Sequence, residues 1–283
     1  MKIILSRKGF DSKYGGVPSM IRGGVMASAP IPDMNEKGEV FDTGKRYRDL
    51  RNFTLPPGCK YGPDDFCHLD PDIRPKLHAP LPPGWKPIFG QSGAAASHLD
   101  NHDVGDGDLF LFWGWFQMAG EPRPFHAIWG YMQVAGKVKD IEKIHEYFWH
   151  PHSRKYYCGE ESMWRNSNTL YIGADNLSGI GDSEEIPGYG TFKFDDSSRR
   201  LLKLTRDGDS CLTHWRPDAL PWLDWDKQQA NMTYHDGKDR FARDGSYFQA
   251  ASRGQEFIVE RVDEKTLAWL KMLLKCRNTS REN

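Results

Sequence analysis

No stretch of this 283-residue chain comes near the roughly 18 consecutive apolar residues that a membrane-crossing helix requires. Residues 1–6 run directly into Arg7 and Lys8, so neither a secretory leader nor a membrane partner is expected, and a cytoplasmic location is. Cysteine is scarce. The five present (Cys59, Cys67, Cys158, Cys211 and Cys276) are odd in number, scattered and without a CxxC pair, which excludes a disulfide framework and a zinc knuckle. Charge of neither sign is in excess, since 38 Lys and Arg stand against 39 Asp and Glu. A generic nucleic-acid coat would be basic, so that class is disfavoured, although a local basic cleft is not. The nucleophile elbow, the P-loop, the HExxH helix and any internal repeat are also missing, and the C-terminal half has no dinucleotide fingerprint.

What the chain does have is rings. Aromatic residues make up 13% of it, ten of them Trp, while only 38% of all residues are hydrophobic, so large rings must supply much of the buried area. The clearest pattern is a pair of apolar strands at 108–118 and 125–138, joined by the turn-forming residues 119–124 as a hairpin at the centre of a sheet. Residues 2–6 form a short buried strand, and 169–174, 190–194, 201–204 and 256–260 read as further strands. Residues 140–148 suit a short helix. Asp263 caps another that carries Leu267, Leu270, Leu273 and Leu274 on one face. Prolines crowd residues 54–90, which read as a long irregular connection. Regular alternation of strand and helix is absent. The expectation is therefore an α+β protein, a mixed, mostly antiparallel bent sheet with flanking helices and long loops, in one elaborated domain spanning residues 1–283.

Two polar, glycine-rich segments carry the chemistry. After the first strand come Arg7, Lys8, Asp11 and Ser12, with Gly15 and Gly16 close behind, where the backbone has freedom to approach a ligand. Asp11 is a candidate base or electrostatic stabiliser, and Arg7 or Lys8 a candidate for holding a phosphate. Residues 89–108 are rich in small residues and then in His and Asp, offering Gln91, Ser97 and His98 for polar edges. His68-Leu69-Asp70-Pro71-Asp72 presents one histidine and two carboxylates at alternate positions. His150-Pro151-His152 would place both imidazoles on one face if extended, which is half of a metal site. No third ligand is signalled nearby, so no metal is expected, and no other cofactor.

Taken together, IILSRKGFDSKYGGVPS, HLDPD, FGQSGAAASHLDNHDVGDGDLFLFWGWF, HAIWGYMQV, HPHS and NTLYIG resemble the family called nucleotide modification associated domain 3, over residues 2 to about 260. The resemblance implies an enzyme acting on DNA with modified cytosine: a DNA glycosylase that removes glucosylated hydroxymethylcytosine from phage DNA as antiviral defence. Carried onto this sequence, it implies a site drawn from Arg7, Lys8, Asp11, Ser12, Asp70, Gln91, Ser97, His98, His150, His152 and Asn168. Within that set Asp11, Lys8 and His98 are the candidate catalytic groups, and the rest bind substrate. A carboxylate suits the positive charge that builds on the sugar, and aromatic walls suit a base drawn out of the stack. If Lys8 were the nucleophile, a Schiff base and strand cleavage would follow. A module that reads modified bases without chemistry, and a base-modifying transferase, are the alternatives.

Overall fold

The computed structural model describes residues 1–33, 44–180, 185–252, 254 and 256–279. The chain opens with β1 (Ile3–Arg7), whose first four residues are buried, as an apolar run without alternation requires when both faces of a strand are covered. Short strands β2 (Ser19–Arg22), β3 (Val25–Ala27) and β4 (Ile31–Pro32) follow, and the proline-rich connection contributes only β5 (Cys67–His68) before β6 (Ile88–Gln91). The next segment is a helix, α1 (Gly93–Asn101). Its run of alanines favours that state, although the polar groups of the stretch do not announce it.

The expected hairpin is present as β7 (Leu109–Met118) and β8 (Phe125–Val138), paired antiparallel from Leu109 opposite Gln133 to Phe116 opposite Phe125. The helix expected at 140–148 is shorter: α2 (Ile141–His145) is capped by Asp140, whose side chain accepts from the amides of Glu142 and Lys143. Then come α3 (Lys155–Cys158), β9 (Thr169–Gly173), β10 (Tyr189–Thr191) and α4 (Arg199–Leu202). The last of these corrects the strand expected at 201–204. The Leu202 amide bonds back to the Ser198 carbonyl, and the chain becomes extended only at Lys203, which bridges Ala127. Two short strands, β11 (His214–Trp215) and β12 (Phe248–Gln249), precede β13 (Glu256–Val259) and the C-terminal α5 (Glu264–Lys275). Asp263 caps α5 as expected, accepting from the Thr266 amide, and Trp269, Leu270, Leu273 and Leu274 form its buried face.

The main sheet runs β13-β1-β7-β8-β9-β6, with β2 beside the far half of β7 and β10 beside β8. β1 and β2 lie parallel to β7, while the other pairings are antiparallel. Register shifts at Phe112/Trp113 and Val134/Gly136 bend the long hairpin, as bulges do, and the sheet curls into a half-barrel. Rings fill it: Phe89, Phe110, Phe112, Trp113, Trp129, Tyr171 and Trp215 are all essentially inaccessible to solvent. Truncating one such ring costs about 3–5 kcal/mol, so this aromatic core is what holds the curl. The curl has a consequence for function. β13 and β6, at opposite ends of the strand order, meet where Gln91 Nε2 donates to Glu256 Oε1 at 2.7 Å.

Candidate functional site

A cleft of about 410 Å³ opens at this seam. β5 delivers its first groups. Cys67 and Leu69 point into a small apolar cluster with Phe10, Tyr47, Leu50 and Leu77, so the alternation of an extended chain turns His68 and Asp70 to the other side, into the cleft. The end of β1 delivers Lys8, whose amide donates to the Trp113 carbonyl at 2.8 Å and extends the pairing with β7. Its Nζ stands 3.8 Å from Asp70 Oδ2, 3.6 Å from Glu256 Oε1 and 4.3 Å from the centre of the Phe89 ring.

Asp70 faces the cleft with its side chain only 3% exposed. Its Oδ1 accepts from the Gly90 amide at 2.7 Å and lies 3.3 Å from His150 Nε2. Burial pushes the carboxyl up, but His150, Lys8 and His152 outweigh it and hold the group well below the usual carboxylate range. Glu256 behaves in the opposite way, because burial dominates Lys8 and raises it. Two carboxylates on either side of one lysine are thus driven apart in proton affinity, the pattern that separates acid from base in many active sites.

His152 sits in a single helical turn, Pro151–Ser153. Its Nδ1 pairs with Asn168 Oδ1 at 2.8 Å, and the Asn168 amide nitrogen donates to the His152 carbonyl at 2.9 Å. Tyr157 stacks on its ring at 4.2 Å between centres, Trp164 stacks on Tyr157 at 5.4 Å, and Tyr156 meets Trp164 edge-on at 4.7 Å. Burial, helped by the neighbouring His68 and His150, holds His152 well below its ordinary value against the opposing pull of Asp70, so the ring is neutral. Gly90 makes this packing possible. A Cβ there would lie 2.4 Å from His152 Cδ2.

Of the residues singled out by sequence, Arg7, Lys8, Asp11, Asp70, Gln91 and His152 line the cleft, with His150 and Asn168 buried behind it. Asp11 stands at the lip, and its Oδ1 accepts from the amides of Lys13 (2.8 Å) and Tyr14 (2.6 Å), which makes it the organiser of its own loop. Ser12 is exposed and outside the lining. Ser97 is also exposed, bonding back to the Gly93 carbonyl along α1. Asp72, the second carboxylate of its segment, is buried against His78 and Trp85.

His98 does not join the cleft. It lines a larger groove of about 1,210 Å³, with its Nε2 3.2 Å from Thr233 Oγ1 and its ring against His102 and Tyr234. Three of the five acids lining that groove are engaged locally: Asp263 caps α5, Asp224 holds a turn with Lys227, and Glu260 pairs with His102. The groove is larger, but the smaller cleft holds the buried and perturbed groups, which is where chemistry is expected. Reading by residue type overlooked Asp33, Tyr157 and Glu256. Only the last had a signal, a lone acid opening a strand otherwise apolar.

Fold and cleft define an α+β protein whose curled mixed sheet closes over a pocket of about 410 Å³, walled by rings and floored by a carboxylate, a lysine and histidines. Over residues 2–260 the sequence matches the family described as nucleotide modification associated domain 3, and the chain belongs to that family. That membership gives it a role associated with nucleotide modification. Nothing matches it among curated proteins or among solved structures.

Proposed function

We propose that this cleft excises a modified cytosine from DNA, leaving an abasic site. The observation that carries the reading is Asp70: an acid held ionised although 3% exposed, at the floor of a ring-walled cleft of about 410 Å³. Cleaving a glycosidic bond to a base builds positive charge on the sugar, and a fixed anion in a site shielded from water stabilises that charge best. Water held beside Asp70 forms the new bond from oxygen to C1′ and gives up one proton to solvent. The bond from C1′ to the base nitrogen breaks with its electron pair going to the base, which then takes up a proton.

The surroundings fit a nucleotide flipped out of the stack. Tyr156, Tyr157 and Trp164 supply faces and edges for stacking, and the volume falls within the range of about 300–1,000 Å³ typical of small-molecule sites, beyond what a bare pyrimidine needs. Arg7 at the cleft and the N-terminus of α1, where Ala94 and Ala95 line the wall, suit flanking phosphates. The resemblance to glycosylases of this family directs the choice of base to glucosylated hydroxymethylcytosine. An activity confined to that base would attack modified phage genomes and spare unmodified DNA.

The test is an oligonucleotide carrying one modified cytosine, incubated with the protein and treated with hot alkali. Alkali-labile cleavage at that position, absent with plain cytosine and abolished by Asp70→Asn, supports the reading. Selective binding that leaves the strand intact would make the protein a reader. A change in base mass only when a nucleotide donor is added would make it a transferase.

A further inference from the structure

We propose that His68, Asp70 and His152 hold a divalent transition-metal ion at the floor of the cleft. One ligand atom from each lies within 4.8 Å of the others, although His152 comes from a different part of the chain. Ligands around a single ion at about 2.0–2.2 Å stand roughly 3–3.6 Å apart, so adjustments of side-chain torsions close the triangle. Of the His150–His152 pair only His152 contributes, and the other two ligands come from residues 68 and 70, at the end of β5.

What surrounds the three residues singles them out further. A ligating histidine is normally oriented by an oxygen on its other ring nitrogen. His68 Nδ1 lies 3.2 Å from Asp33 Oδ1, and His152 Nδ1 lies 2.8 Å from Asn168 Oδ1. The Asn168 nitrogen donates to the His152 carbonyl at 2.9 Å, so its Oδ1 is the acceptor and His152 carries its proton on Nδ1. Each Nε2 then offers a lone pair, and neither has a hydrogen-bond partner among the described residues. Tyr157 stacks on the His152 ring at 4.2 Å and the Gly90 backbone closes its other approach, so its direction is set before any ion arrives. Asp70 is aimed in the same way by the Gly90 amide at 2.7 Å.

Two imidazoles and one carboxylate, with the remaining positions open to a cleft, form the ligand set of catalytic rather than structural metal sites, and suit zinc, iron(II), manganese or cobalt. The role of the ion rests on the excision reading. Water on it loses a proton to solvent near neutral pH, and the resulting hydroxide is the oxygen that bonds C1′ as the base departs with the bonding pair.

The experiment uses the full chain stripped with chelator and titrated with Co²⁺ under visible absorption. One Co²⁺ per chain with a ligand-field spectrum, displaced by Zn²⁺, is expected. His68→Gln and His152→Gln should abolish that spectrum. Asp33→Asn, which touches no ion, should weaken binding about 10- to 100-fold, and His102→Gln should leave it unchanged. Circular dichroism checks that each variant is folded. Absence of a stoichiometric ion on wild type, or equal binding by folded triad variants, overturns the site. Full-rate excision by metal-free protein would overturn the role of the ion while sustaining the glycosylase, and stoichiometric binding without excision would sustain the metal site while overturning the glycosylase.

Discussion

Gln91 on β6 and Glu256 on β13 are joined by a 2.7 Å hydrogen bond, although their strands stand at opposite ends of the sheet order. That bond marks the seam at which the curled sheet closes, and Lys8 is inserted beside it, 3.6 Å from Glu256 Oε1. Glu256→Ala removes both partnerships from a group only 1% exposed and leaves Lys8 with Asp70 alone. Breaking a buried pair in this way costs about 3–5 kcal/mol. Urea unfolding should show it as a lower midpoint at unchanged slope. Glu256→Gln keeps the seam's hydrogen-bonding capacity and should lose less.

Gly90→Ala should separate activity from folding. The added methyl would fall 2.4 Å from His152 Cδ2, and the ring is backed by Tyr157, so the imidazole or the backbone of residue 90, whose amide holds Asp70, must shift. Overpacking of this kind costs about 1–3 kcal/mol, which a protein of this size tolerates. Misplacement of a catalytic group by an ångström costs on the order of 100-fold in rate. Single-turnover base release, compared with the melting temperature, checks both.

Asp70→Asn should reduce base release by at least about 100-fold, the scale of a lost electrostatic stabiliser, while the protein still binds modified DNA. Asp11→Asn should do far less to chemistry. The amides it holds belong to its own loop, and an asparagine oxygen still accepts from Lys13 and Tyr14. Equal losses in the two variants would return Asp11 to the centre of the mechanism.

Stability should fall in mild acid because of two buried histidines that do not line the cleft. Burial lowers His126 to about 3 and His235 to about 4, and their acceptor nitrogens are taken by Trp215 Nε1 and the Ala251 amide. Below pH 6.5, the ordinary histidine value, the unfolded chain binds protons that these folded rings refuse, so their contribution is complete above pH 6.5 and is lost between there and about pH 4 for His235 and about pH 3 for His126. Each should add about 1.4 kcal/mol per pH unit to the slope. His126→Gln, which keeps an acceptor for Trp215, should flatten the acid limb. Urea midpoints at pH 7, 6 and 5 measure it, and parallel curves would contradict the assignment.

The long hairpin, β1 and the Asp263-capped helix are legible in sequence because burial on both faces of a strand leaves an unbroken apolar run, and burial on one face of a helix a periodic one. Leu201-Leu202-Lys203-Leu204 carries too few residues for its period to tell strand from helical turn, and the bond from the Leu202 amide to Ser198 decided it. Within the site, Lys8 and Gln91 were visible as polar groups beside glycines, and Asp70 and His152 as members of the short His68–Asp72 and His150–His152 runs. Asp33 and Tyr157 were not, because they reach the cleft through long connections that leave no local pattern, and Glu256 left only the trace of one acid opening an apolar strand. His98 illustrates the converse: it shares the α1 segment with the cleft wall, yet helical spacing turns it into the neighbouring groove.

The most direct measurement is mass spectrometry of the small-molecule fraction after the protein meets three DNAs, bearing cytosine, hydroxymethylcytosine and glucosyl-hydroxymethylcytosine. The account predicts free glucosyl-hydroxymethylcytosine base from the third DNA alone, in equal number with its abasic sites, and none with Asp70→Asn. Intact glucosylated DNA bound tightly, with no base released at any enzyme concentration, would contradict it.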